Sequence, residues 1–156
     1  MARDRCRREL HPKGFTILEL LVVTVIIGTL STMAAPPLQR AREMAQVSRA
    51  IAEIRIISSE LAIYFEINFT LPASLAGIER ASLLDPWGLP YMYVLLTGPG
   101  VGDARKNKFQ VPLNTDFDLG SAGPDGKSKP PLTAADSQDD IVRAWNGGFI
   151  GLASEF

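Results

Sequence analysis

Residues 15–38, FTILELLVVTVIIGTLSTMAAPPL, carry one ionisable side chain, Glu19. A helix needs about 20 apolar residues to cross a bilayer, and Ile17–Ala35 is long enough. Charge is distributed unevenly around this run. Residues 1–14 hold Arg3, Arg5, Arg7, Arg8 and Lys13 against Asp4 and Glu9, whereas the rest of the chain is net acidic. A basic tip before an apolar span orients the chain with the tip in the cytoplasm and the remainder outside. The span admits three readings: a cleaved secretory signal, a plain single-pass anchor, or a specialised membrane helix. Ser31-Thr32-Met33-Ala34-Ala35 offers a small-x-small cleavage site for the first. Against it, the amphipathic pattern continues directly past that point.

The single cysteine, Cys6, and the single histidine, His11, both sit in the basic tip. A chain that loses the tip has no intrachain disulfide, no thiol nucleophile, no histidine-based zinc site and no Ser-His-Asp triad. With 16 basic and 17 acidic side chains overall, no broad basic field argues for nucleic acid.

Glu19 carries the most information. A carboxylate deep in a spanning helix costs roughly 2.5–3.5 kcal/mol, and such residues usually have a partner or a function. The plain alternative is a carboxylate at the headgroup level, about one helical turn from the basic tip. Lys13-Gly14-Phe15-Thr16-Ile17-Leu18-Glu19 followed by the apolar run resembles the class III signal of type IV pilins and pseudopilins. The resemblance implies that a prepilin peptidase cuts between Gly14 and Phe15 and that the new amino-terminal Phe15 is methylated. It also implies that Glu19 is the assembly carboxylate, lying near the amino terminus of a neighbouring subunit. The physical reading agrees, because an intramembrane carboxylate needs a cation and cleavage at Gly14 creates one. Pro36 stands where this family commonly has a helix-distorting proline. Pro37 follows it, so a stronger kink or local melting is expected.

Beyond the prolines, apolar residues recur in steps of three and four: Leu38, Ala41, Met44/Ala45, Val47, Ile51, Ile54, Ile57/Ser58, Leu61 and Tyr64/Phe65. This predicts an amphipathic helix of about eight turns ending near Asn68. Residues 69–80 read as a turn and a short helix. Strands are expected at Tyr91–Leu96, Lys108–Leu113 and around Asp116–Ser121, with a Gly-rich loop at Thr97–Asn107 and an irregular C-terminal third. The fold class is therefore α+β: a long helix packed on a small antiparallel sheet. The expected organisation is a leader (1–14), a transmembrane and polymerisation helix (15–38), an amphipathic helix (39–68) and a sheet region (69–156). Residues 39–156 form one globular domain.

Asp85-Pro86-Trp87-Gly88, Gly120-Ser121-Ala122-Gly123-Pro124-Asp125-Gly126, Asp139-Asp140-Ile141 and Trp145-Asn146 resemble, in this order, the major pseudopilin of type II secretion. In that family the loop after the SAGPDG-like segment binds one calcium ion. The resemblance implies Asp125, Asp139 and Asp140 as ligands, with the Ala122 carbonyl. Oxygen donors of this kind suit calcium, whereas solvated turn aspartates are the plain alternative. An EF-hand does not fit: counted from Asp116, position 6 is Ser121 and position 12 is Lys127. This chain departs from the family by a long spacer, Gly126–Gln138, with Lys127, Lys129, Pro130 and Pro131. Asp136 in that spacer is an alternative ligand.

The expected function is structural rather than enzymatic: a subunit stored in the bacterial inner membrane, its C-terminal domain periplasmic, polymerised into a pseudopilus that supports export of folded proteins. The implied partners are further copies of the chain, the prepilin peptidase, minor pseudopilins and the inner-membrane secretion platform, without nucleic acid. A type IV pilin for adhesion, motility or DNA uptake is the first alternative, although many of those carry a disulfide loop. A membrane-anchored periplasmic enzyme is the second, with Asp116 and Asp118 as an acid/base pair on which nothing else converges.

Overall fold

The computed structural model describes residues 14–97 and 102–156. The basic tip, residues 1–13, and residues 98–101 of the expected Gly-rich loop lie outside the described residues. The chain divides into two units, Met1–Ala41 and Arg42–Phe156.

One helix, α1, runs from Ile17 to Asn68 and contributes to both units. In the first unit it is apolar on every side, and its large side chains are bare. Ile17, Leu20, Val25, Ile26 and Leu30 are all more than half exposed. Its length and composition suffice to cross a membrane. The backbone stays helical through Pro36-Pro37, so the expected local melting is absent. Proline's fixed φ suits a helix, and what two adjacent prolines remove is a pair of N–H donors.

In the second unit the three-four repeat buries one stripe of α1. Ala50, Ile54, Ile57 and Leu61 are fully buried, with Val47 and Ile51 packed at the edge. The seam begins later than the sequence periodicity suggests, because Leu38 and Met44 remain exposed. Burial of each large aliphatic side chain contributes about 1.5–3 kcal/mol. After a 3-10 turn at Leu75–Ile78 come four strands: β1 (Met92–Leu95), β2 (Phe117–Ser121), β3 (Ile141–Ala144) and β4 (Phe149–Leu152). They form one antiparallel sheet in chain order, with Met92 opposite Gly120, Gly120 opposite Val142, and Val142 opposite Gly151.

Alternation along the strands sends side chains to two faces. Phe117, Leu119 and Ile141 join Tyr91 and the α1 stripe in one core. Val142 and Ala144 turn the other way, onto Leu113, Leu132 and Ala153. Every residue of β2 and β3 is buried, as expected of strands covered on both sides.

Two expectations fail here. Lys108–Leu113 is not a strand. The Asn107 side chain accepts the Phe109 and Val111 N–H groups at 2.9 and 3.0 Å, which curls the segment into a tight loop. Gln110 adopts φ 60° at its tip, and Phe109 and Val111 point outward. The C-terminal third is also more regular than expected, since it supplies the β3–β4 hairpin.

Candidate functional site

Two regions hold the residues singled out by sequence. The first is the start of α1. Gly14 and Phe15 precede the helix and are exposed, so the peptide bond between them is accessible in the uncut chain. Thr16 caps the helix: its Oγ1 accepts the Glu19 N–H at 3.2 Å. The Glu19 carboxylate in turn accepts the Thr16 N–H at 3.0 Å and the Thr16 hydroxyl at 2.9 Å. This reciprocal arrangement is a capping box, with a Thr three residues before a Glu, and the sequence reading missed it although the spacing is plain. Within one chain Glu19 therefore satisfies the helix start.

The second region is the C-terminal loop, which two distant motifs build together. In the Asp85-Pro86-Trp87-Gly88 turn, Asp85 Oδ1 accepts the Trp87 and Leu89 N–H groups at 3.0 and 2.8 Å. Its other oxygen accepts the Ser121 hydroxyl at 2.5 Å, and Ser121 accepts the Gly123 N–H at 3.2 Å. Gln46 of α1 donates to the Pro86 carbonyl at 3.2 Å. The buried Asp85 carboxylate thus ties the turn to the end of β2, and Gln46 ties the turn to the helix. Gly123 is required at its position: its φ is +65°, and a Cβ there would lie 2.4 Å from the Asp139 carbonyl oxygen.

The three carboxylates expected to gather around calcium do not all share one site. Asp125 and Asp139 are neighbours, the Asp125 N–H lying 3.4 Å from Asp139 Oδ2, while Asp125 Oδ1 accepts the Lys127 N–H at 2.8 Å. Asp140 turns the opposite way, as alternation at the threshold of β3 dictates. It is fully buried, ion-paired to Arg105 and bonded by the Ser128 hydroxyl at 2.7 Å. Asp136 pairs with Lys129 at 2.8 Å. Ala122 is buried at the end of β2. Among the described residues no group of three acidic, His or Cys side chains stands close enough to hold a metal ion. The donor set does not fit the expected calcium.

Around Asp140 lies a buried polar network that sequence reading did not anticipate. Asp118, cast above as half of an acid/base pair, accepts the Arg105 N–H at 2.6 Å and the Asn114 amide at 2.8 Å. Burial pushes the carboxyls of Asp118 and Asp140 above their ordinary range, with their partners pulling the other way. Asp116 is separate: despite burial, the Arg143 fork at 2.8 and 2.7 Å and the Phe117 N–H bring it below the ordinary range. Both aspartates are committed to structural partners.

A family model described as the prokaryotic N-terminal methylation motif matches residues 11–35. The chain is 32% identical to the type II secretion system core protein G of Escherichia coli K12, over 74% of this chain and 83% of that one. It is 30% identical to the protein of the same name from Pseudomonas aeruginosa, over 73% of this chain and 84% of that one. For Dickeya chrysanthemi the identity is 30%, over 90% of each. The chain belongs to the type II secretion system core protein G family. The resemblance drawn from the leader and the loop motifs therefore holds for this core protein G family member. No solved structure matches the chain.

Proposed function

We propose that this core protein G family member is a structural subunit of the type II secretion pseudopilus, assembling through the first half of α1, and is not an enzyme. The observation that carries the reading is the bare apolar helix opening on a capped glutamate directly after an accessible Gly14–Phe15 bond. Apolar surface of this extent is stable only in lipid or against other apolar helices. In this reading the uncut chain waits in the inner membrane with its body in the periplasm. Prepilin peptidase removes residues 1–14, and methylation follows at Phe15. The new amino group, its own or a neighbour's, then competes with Thr16 for the Glu19 carboxylate, and a charged partner makes the stronger bond. Further copies, minor pseudopilins and the inner-membrane platform are the partners this assembly requires.

Intact mass of the chain extracted from membranes tests the first step. The expected product lacks residues 1–14 and carries one added methyl group. A mature chain beginning near Ala35 or Pro36 would show ordinary secretion instead. For the second step, Glu19→Ala should insert normally yet form few or no filaments on overexpression. Filaments equal to the parent's would reduce Glu19 to a helix cap.

A further inference from the structure

The acidic loop poses a physical problem. Asp140 is fully buried, and a buried carboxylate needs a cation or several donors to remain in place. We infer that Arg105 is that cation: its guanidinium pins Asp140 and, through Ser128, the long 126–138 spacer to the second face of the sheet, so that this chain holds its C-terminal loop without calcium.

Three features carry the argument. The first is the fixing of Arg105 from several directions. Its side chain is 9% exposed; one guanidinium nitrogen donates to Asp140 and another to the Ser128 hydroxyl at 2.7 Å. Ser128 donates onward to the same Asp140 oxygen at 2.7 Å, so the arginine, the serine and the aspartate close a triangle. Its own backbone is anchored as well. The Arg105 N–H reaches Asp118, and its carbonyl accepts the Leu113 N–H at 2.9 Å. A guanidinium held this way has little conformational freedom left to lose.

The second is how the spacer is attached. Lys106, the next residue, donates its N–H to Pro130 O at 2.9 Å and accepts the Leu132 N–H at 2.9 Å. Ser137 holds the spacer across its base, its hydroxyl accepting the Lys129 N–H at 2.8 Å and donating to the Lys129 carbonyl at 2.9 Å. The inserted residues are therefore laid against the segment that delivers the arginine, so spacer and cation form one unit.

The third is the direction of the acidic side chains. Asp139 faces Asp125 and Gly123, while Asp140 faces Arg105. A metal bound by both would require the strand threshold to turn one of them over, breaking the Asp140 ion pair. Calcium needs six or more oxygen ligands, and here one expected carboxylate is already neutralised by a charge of the right sign.

The test uses the full chain in detergent micelles, followed by the fluorescence of Trp87 and Trp145 during heating. The expected melting temperature is the same within about 1 °C in millimolar calcium and in chelator. A metal bound at a hundredfold excess over its dissociation constant would instead raise it by roughly 5 °C or more. Arg105→Met should lower the melting temperature by roughly 10 °C or more, because it leaves a buried charge unpaired. Adding Asp140→Asn to that variant should recover part of the loss. Should Arg105→Met fail to fold, Arg105→Lys, which keeps the charge but not the fork, should melt below the parent, and a lysine variant as stable as the parent would overturn the inference. A calcium-dependent rise in the parent chain would overturn the inference. So would a double variant no more stable than Arg105→Met alone, since the two side chains would then be uncoupled.

Discussion

Asp85 offers the sharpest test of how the body is held together. It is 4% exposed and accepts three hydrogen bonds, from the Trp87 N–H, the Leu89 N–H and the Ser121 hydroxyl. Asp85→Ala removes all three and strands at least two backbone donors in a partly buried turn. A hydrogen bond to a charged group contributes about 1.5–3 kcal/mol, and each stranded buried donor costs about 1–3 kcal/mol. These effects overlap, so the expected loss is about 3–5 kcal/mol. For a body the size of Arg42–Phe156 each kilocalorie shifts the melting temperature by about 4 °C, giving a fall of roughly 12–20 °C. Asp85→Asn is the matched control. Its amide oxygen still accepts the two backbone N–H groups, and its NH2 faces a hydroxyl that can rotate to accept. That variant should lose no more than about 2 kcal/mol. Heating with tryptophan fluorescence suits both, because Trp87 sits in the turn itself. If Asp85→Ala melts within 2–3 °C of the parent, roughly the effect of a surface change, the carboxylate does not bridge turn and sheet.

Two further outcomes follow from the same geometry. Gly123→Ala places a side chain at φ +65° against the Asp139 carbonyl, so urea unfolding should show a loss of at least about 2 kcal/mol; an unchanged midpoint would mean the loop shifts freely. Burial pushes the Tyr93 hydroxyl up to about 12, with Asp116 adding to the effect, and raises Tyr91 further, helped by its 2.5 Å bond to Glu53. Because both folded values exceed the ordinary value of about 10, their contribution is complete below pH 10 and is lost as pH rises toward 12. Melting temperature against pH should fall across that window, and a profile unchanged in Tyr91→Phe/Tyr93→Phe would contradict the assignment.

What could be read from sequence follows a physical line. The end of α1 at Asn68, the short turn after it and the strands near Met92–Leu95 and Phe117–Ser121 were legible, since each rests on local periodicity. The strand expected at Lys108–Leu113 had the right alternation, but a single Asn107 side chain outcompeted the ladder. The β3–β4 hairpin carried its own signal, β-branched Ile141-Val142 and then Asn146-Gly147 before Phe149-Ile150. It was hidden by reading that stretch as a loop built around a metal. At the helix start, the Thr16–Glu19 spacing was available and went unread. The Arg105–Asp140 pair was not legible at all. Its partners are 35 positions apart, and nothing local in either segment points to the other.

The order of the sheet bears on how the body is made. Strands β1 to β4 lie side by side in the order of synthesis, so each pairs with one already present and no crossover has to be threaded. The helix stripe is the exception. Ala50, Ile54, Ile57 and Leu61 are complete long before their cover, and that cover includes Ile141 near the other end of the chain. A chain stopped short of β3 would have a full helix and half a sheet with its apolar seam open. The last strands therefore act as the latch of the body. The open aliphatic seam of such a truncated chain is the kind of surface that proteases and chaperones recognise.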